Sequence, residues 1–396
     1  MSYDFTKSKA SVLLDLVRGL AALLVLTEHL RNIFFVDYAQ VAQRRALLAL
    51  PYIMTSTGHQ AVVIFFVLSG YLISGSIFRS LKRNNWSWSR YLLHRLLRLW
   101  IVLIPGLLLC ALWDTIGIRS HMAPLLYGGG MGNHTVPDVA AVRTIKIFFE
   151  NLGFLQWVIG PSFGSDTALW SLSCEFWYYI LFPLGLFVVL PKVPIRVRIV
   201  CGVLFGLAAW LVSEHILAAF PIWLLGTLLA LLPVPKFSNW FRILVSCVFV
   251  VVYFLSAKIG AIHVVVDHVS PMILDYILGV ATLLFLWVLL SATSPSEDSA
   301  GEKGARELSR FSYTLYVCHI PLCVLLAAAL VGDNRWSPDP IHILIALGVL
   351  VLLVAYAYGL AYLTEFRTDR IRRFLEAKFF DKQKRELVAV TSGASK

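Results

Sequence analysis

Residues 13–35 read LLDLVRGLAALLVLTEHLRNIFF, and the fold turns on how this stretch is understood. It is apolar enough and long enough to cross a bilayer, for which about 20 residues suffice. Yet Asp15, Arg18, Glu28, His29 and Arg31 lie within it. Ionisable groups in a membrane segment are expensive, and they face a cavity, one another or the interface. Arg18 and His29 lie about three helical turns apart, so they share one face with roughly 16 Å between them. Two readings fit. Either a fixed cation and an imidazole hold one elongated molecule between them, or the charges are interface anchors around a packed histidine.

The rest of the chain agrees with a membrane assignment. Of its 396 residues, 59% are hydrophobic and 14% charged, and the mean hydropathy is +0.77. That excludes an ordinary soluble domain. A net charge of +11 would point to nucleic acid in a soluble chain. Here the Lys and Arg residues fall in short loops and in the tail, so the expected partner is the lipid bilayer and not nucleic acid. The first apolar stretch is too long and too charged for a cleavable signal peptide. Six cysteines sit in apolar segments without metal-ligand spacing; they read as small hydrophobes, and no metal is expected.

Hydropathy supports about ten spans, near 12–35, 59–80, 94–113, 168–190, 196–213, 216–232, 241–259, 272–291, 310–331 and 341–363. The expected fold is therefore an all-α polytopic bundle of about ten transmembrane helices around a polar pore. Basic residues between spans two and three, after span four, in the linker 292–309 and after span ten place both termini in the cytoplasm. The transmembrane domain is expected to cover 1–373, followed by a basic cytoplasmic tail at 374–396. The stretch 114–167, rich in Gly, Pro and His, then faces outside as an irregular lid or acceptor-recognition loop, or as a structureless connector. The polar linker 292–309 is expected to be flexible.

Polar residues recur at helical spacing inside several spans. Ser69 and Gly70 interrupt a bulky second span and permit close packing, and Tyr71 carries a hydroxyl that a cavity would use. Arg95 and Arg98 project from one face at the mouth of span three. They suit phosphates through forked hydrogen bonds, or act as positive anchors at the membrane surface. Glu175 lies about one turn inside span four, with Ser171 on its face and Trp170 nearby as a platform for a sugar ring or a belt residue. In span nine, Ser312, Tyr316 and His319 form one polar stripe. The tenth span is followed by the basic stretch 370–384, which suits an anionic leaflet.

Together, LDLVRGLAA with His29, FFVLSGYLI, the Arg95/Arg98 pair, WSLSCEFWYYILFP and SYTLYVCHIP resemble, in that order, the signatures of the membrane acyltransferase-3 family. The series runs from Leu14 to about Arg373. The resemblance implies a stand-alone inner-membrane enzyme that takes acyl groups, usually acetyl, from cytoplasmic acyl-CoA and passes them to hydroxyls of surface-destined sugars. It assigns Arg18 and His29 to the family's arginine–histidine pair, Arg95 and Arg98 to its arginine pair, and Glu175 and Glu365 to its acids. The chain departs from the pattern at Phe176, where a second acid is usual, at Ile101 in place of a proline, and at Glu28 beside the histidine.

The resemblance gives a mechanism to test. Arg95 and Arg98 hold the phosphates of acetyl-CoA, the co-substrate, with Ser69 and Tyr71 along its path. The arm threads past Arg18, and His29 acts as general base with Glu175 or Glu28 orienting its ring. Trp170, Ser171, His319 and Tyr316 contact a carbohydrate or glycolipid acceptor. A transporter of an anionic or glycan solute is the alternative, although no internal repeat is visible. An unrelated His/Asn-type O-acyltransferase would make His319 catalytic instead. Acceptor identity, acyl length, acyl-enzyme formation and oligomeric state are not encoded in any motif.

Overall fold

A computed structural model describes residues 8–43, 45–132, 135–263 and 271–381. Every regular element among them is helical: α1 (Lys9–Phe34), α2 (Arg45–Met54), α3 (Gly58–Lys82), α4 (Trp88–Ser120), α5 (Pro124–Tyr127), α6 (Val139–Val142), α7 (Ile145–Leu152), α8 (Leu169–Val189), α9 (Ile195–Leu211), α10 (Glu214–Leu231), α11 (Asn239–His263), α12 (Pro271–Leu290), α13 (Ala300–Arg310), α14 (Ser312–Leu330), α15 (Pro340–Leu363) and α16 (Thr368–Glu376). Nine helices among the described residues are long and apolar enough to cross a membrane. At 17 residues α9 sits at the lower limit for a span. With α9 counted, the rods alternate in direction, and Ser8 and Asp381 fall at one end of the bundle. This end also carries the α3–α4 turn, α13 and α16; we call it the basic end. The outward faces of α9, α11 and α15 are apolar, with Trp210, Trp240 and Leu344 exposed, as a lipid-facing surface requires.

The core is the contact of α1, α3, α10 and α14 with their neighbours. α10 packs most extensively along α3, and two glycines make this possible. A Cβ at Gly70 would lie 2.0 Å from Trp223 O, and one at Gly226 would lie 2.0 Å from Val67 O. Gly70 is thus explained by helix packing.

Three stretches differ from what hydropathy suggests. First, α4 is not confined to 94–113 but covers 33 residues. In its far part, buried Asp114 is satisfied by a distant segment, accepting from Ser165 N at 2.9 Å and Ser165 Oγ at 2.6 Å. Second, the segment 114–167 is not a structureless connector. It contains α5, α6 and α7 and is pinned by buried amides. Asn151 donates to Ile147 O and Pro161 O and accepts from Phe163 N, while Gln156 donates to Leu169 O. Asn133 and His134 lie outside the described residues.

Third, the linker expected to be flexible forms α13. Ser299 caps it by accepting from Glu302 N, Glu302 supports its first turn, and Arg310 its last. The helix lies against α1: Leu308 fills the space over Gly19, and Ser309 Oγ donates to Asp15 at 2.9 Å. Just before α13, Lys9 N donates to Ser294 O at 2.9 Å and Lys9 Nζ pairs with Glu297. The tail begins as α16; residues 382–396 of the expected tail lie outside the described residues.

Candidate functional site

A cavity of about 750 Å³ opens at the basic end and runs into the bundle. That is within the usual range for a small-molecule site. Its walls come from α1, α3, α4, α8, α13, α14 and α16 and the turn at Glu365. Arg18, Ser69, Arg95, Arg98, Ser171, Glu175 and Tyr316, all singled out from sequence, line it together. Helical spacing explains the convergence, because Arg95 and Arg98 share one face of α4 and Ser171 and Glu175 share one face of α8.

The polar groups on the wall are held by one another. Glu175 accepts from Ser69 Oγ at 3.0 Å and from Tyr179 Oη, and Trp223 Nε1 donates to Ser69 at 3.2 Å. Glu365 accepts from Thr314 N at 3.1 Å and Thr314 Oγ1 at 2.8 Å. The carboxylates of Asp15, Glu175 and Glu365 all act on Arg18. Arg98 lies 5.9 Å from the Tyr313 ring and Arg95 lies 5.7 Å from that of Tyr179. Ser171 Oγ and Tyr316 Oη are 2.6 Å apart at the inner end.

Beyond Tyr316 sit two histidines. His29 Nδ1 is 2.8 Å from His319 Nε2, and the rings lie within 14° of parallel. His319 Nδ1 is 2.8 Å from Leu315 O and 3.0 Å from Tyr316 O. Carbonyl oxygens only accept, so Nδ1 of His319 carries the hydrogen. In a neutral His319, Nε2 is then a lone pair, and His29 Nδ1 must donate to it. The remaining nitrogen of a neutral His29, Nε2, is left basic. His319 is fully buried and His29 half-buried.

Neither acid proposed to orient the His29 ring reaches it. Glu175 is bonded to Ser69 and Tyr179, and Glu28 accepts from Gly58 N at the start of α3. The side chain bonded to the His29 ring is His319, which the expected mechanism had set against the acceptor. Tyr71 and Trp170 are not among the lining residues; Trp170 stacks on Trp157 with centroids 5.2 Å apart. Sequence reasoning read Tyr179 only as a belt residue or a sugar platform; it missed Tyr313 and the arginines brought by the two outer helices, Arg306, Arg310 and Arg372. Arg306 and Arg310 stand four apart, a signal obscured because Arg306 read as linker and Arg310 as the edge of the ninth span. Arg306 also pairs with Asp298 outside the bundle; that hydrogen bond, then the charge of the arginine, holds Asp298 below the usual carboxylate range.

The acyltransferase-3 model, described as an acyltransferase domain, matches residues 12–360. The chain belongs to the acyltransferase-3 family. The match covers all helices that wall the cavity except α16. Among curated relatives, the acyltransferase MdmB of Streptomyces mycarofaciens is 31% identical over 182 residues, covering 46% of this chain. That alignment spans 40% of the relative's own length. No solved structure matches this acyltransferase-3 chain significantly.

Proposed function

We propose that this member of the acyltransferase-3 family is a membrane O-acyltransferase that moves an acyl group, acetyl in the simplest case, from cytoplasmic acyl-CoA to a hydroxyl of a surface-destined carbohydrate or glycoconjugate. The observation that carries it is the arginine-walled cavity that reaches Tyr316, whose ring lies beside His319, the partner that leaves His29 Nε2 as the base. The basic end is then the cytoplasmic face of the inner membrane. Arg95 and Arg98 receive phosphate oxygens, as guanidinium forks do well. The thioester arm passes Arg18 and Glu175 toward Tyr316.

His29 Nε2 removes the acceptor's hydroxyl proton as its oxygen attacks the thioester carbonyl carbon. The C–O bond forms, the tetrahedral intermediate collapses with loss of the C–S bond, and the imidazolium returns the proton to the leaving thiolate. His319 holds the first imidazole in the tautomer this requires. Purified protein in liposomes, given radiolabelled acetyl-CoA and extracted envelope glycans, tests the assignment. Label should appear in base-labile ester on the glycan fraction. Wild-type protein that releases no coenzyme A and forms no ester with any glycan fraction would overturn it.

A further inference from the structure

A second, smaller cavity lies beside the first, at the turn that joins α3 to α4. Its volume is about 250 Å³, and Arg79, Arg83, Arg90 and Arg95 line it with no carboxylate among them. The larger cavity is close to balanced, since its six lining arginines face five carboxylates. Two donors on the wall of the smaller one, Trp86 Nε1 and Arg95 Nε, are buried without an acceptor among the described residues. Buried donors are satisfied in nearly all native sites, so an orphaned pair on a cationic wall points to an anionic ligand that supplies acceptors.

Arg95 is the partition between the two spaces. Its Nη2 donates to Ser76 Oγ at 3.2 Å on the smaller side, and its guanidinium faces Tyr179 on the larger side. His94 lines both cavities as well. Arginines at a helix C-terminus and a membrane surface are expected on dipole and topology grounds alone. Those grounds do not gather four of them around a concavity that excludes carboxylates and leaves wall donors unmet.

We propose, resting on the acyl-CoA reading above, that the smaller cavity is the subsite for the 3′-phosphate at the nucleotide end of the donor, while the thioester arm occupies the larger cavity. A phosphate monoester carries about −1.5 to −2 charges near neutral pH and three acceptor oxygens, which four guanidiniums, with the orphaned Arg95 Nε among their donors, and the Trp86 indole N–H can meet. A lipid phosphodiester offers related chemistry but less charge, and the two sources are separable by experiment.

The full chain is placed in nanodiscs of neutral lipid, and its affinities for coenzyme A and 3′-dephospho-coenzyme A are compared by titration calorimetry. Arg79→Gln/Arg83→Gln is measured beside the wild type; both side chains are exposed, and a thermal melt confirms folding. Wild type should bind coenzyme A at least tenfold tighter than the dephospho form. The double variant should lose that preference while binding the dephospho form as wild type does. Equal wild-type affinities, or a preference that the double variant keeps, would overturn the subsite and leave the acyl-CoA reading standing. A variant that keeps the preference but no longer retains anionic lipid through purification would reassign the cavity to a headgroup. Wild type that binds neither compound would overturn both readings.

Discussion

The histidine pair sets the strongest expectation for single residues. Loss of a general base typically lowers turnover by about 10²–10⁴-fold, so His29→Gln should all but remove ester formation while the protein still inserts. His319→Ala should lower kcat by about 10²-fold with little change in the KM for acyl-CoA, because its work is to fix a tautomer rather than to bind donor. Initial rates in proteoliposomes separate these effects, and a His319→Ala protein with normal kcat would show that the tautomer needs no fixing. Asp166 makes a different prediction. Burial, and then the neighbouring Asp114 carboxylate, push its pKa well above the usual carboxylate range, and its Oδ1 has no partner among the described residues. An acid raised in the folded state contributes stability below its ordinary pKa of 3.8, and that contribution is lost as pH rises, because the unfolded chain ionises first. Asp166→Asn should therefore raise the melting temperature near neutral pH, and the gain should vanish toward about pH 4; a constant gain at all pH values would rule this cause out.

Among elements, the α3–α10 contact is the least forgiving. Gly70→Ala or Gly226→Ala would force a methyl to within 2.0 Å of a carbonyl oxygen. Overpacking of this kind costs about 1–3 kcal/mol or more, visible as a lower melting temperature in detergent. Gly348→Ala, on open space in α15, is the control and should be neutral or slightly stabilising. These helices were legible from sequence because twenty apolar residues leave few options. So were the shared faces of Arg95 with Arg98 and of Ser171 with Glu175, since three- and four-residue spacing fixes which side chains share a face; that Arg18, Arg95, Arg98 and Glu175 belong to one site came only from the family resemblance. The rest was not legible, and for physical reasons. Helix α13 has little apolar content and is stabilised by caps and by α1, which a local reading cannot see. Asp114 and Asn151 find their partners dozens or several residues away, through side chains rather than periodicity. The His29–His319 bond joins residues 290 positions apart, and no spacing rule pairs them.

For the whole molecule the decisive property is sidedness. The cavity opens at the basic end, and His29 lies near the other end of α1, roughly 16 Å beyond Arg18 along the helix. Under the proposed function, donor enters from the face bearing α16 and acceptor approaches from the face bearing α5–α7. Sealed vesicles of known orientation should form ester when acyl-CoA is supplied only on the α16 face and an impermeant acceptor only on the other. Product that requires both on the α16 face would refute transfer across the membrane while leaving the chemistry intact.

The clamp between the start of α1 and the 292–310 segment has a further consequence, in the order of biosynthesis. Asp15 and Lys9 sit in the first of the described helices, whereas Ser309, Ser294 and Glu297 are made almost three hundred residues later. At about 5–20 residues per second, α1 waits roughly 15–60 s for the partners that close its charged face. During that interval a membrane helix carrying Arg18 has none of its later carboxylate neighbours, Glu175 arriving midway and Glu365 near the end. Of the described helices α1 is thus made first, and the charged face it turns inward is among the last parts of the bundle to be completed.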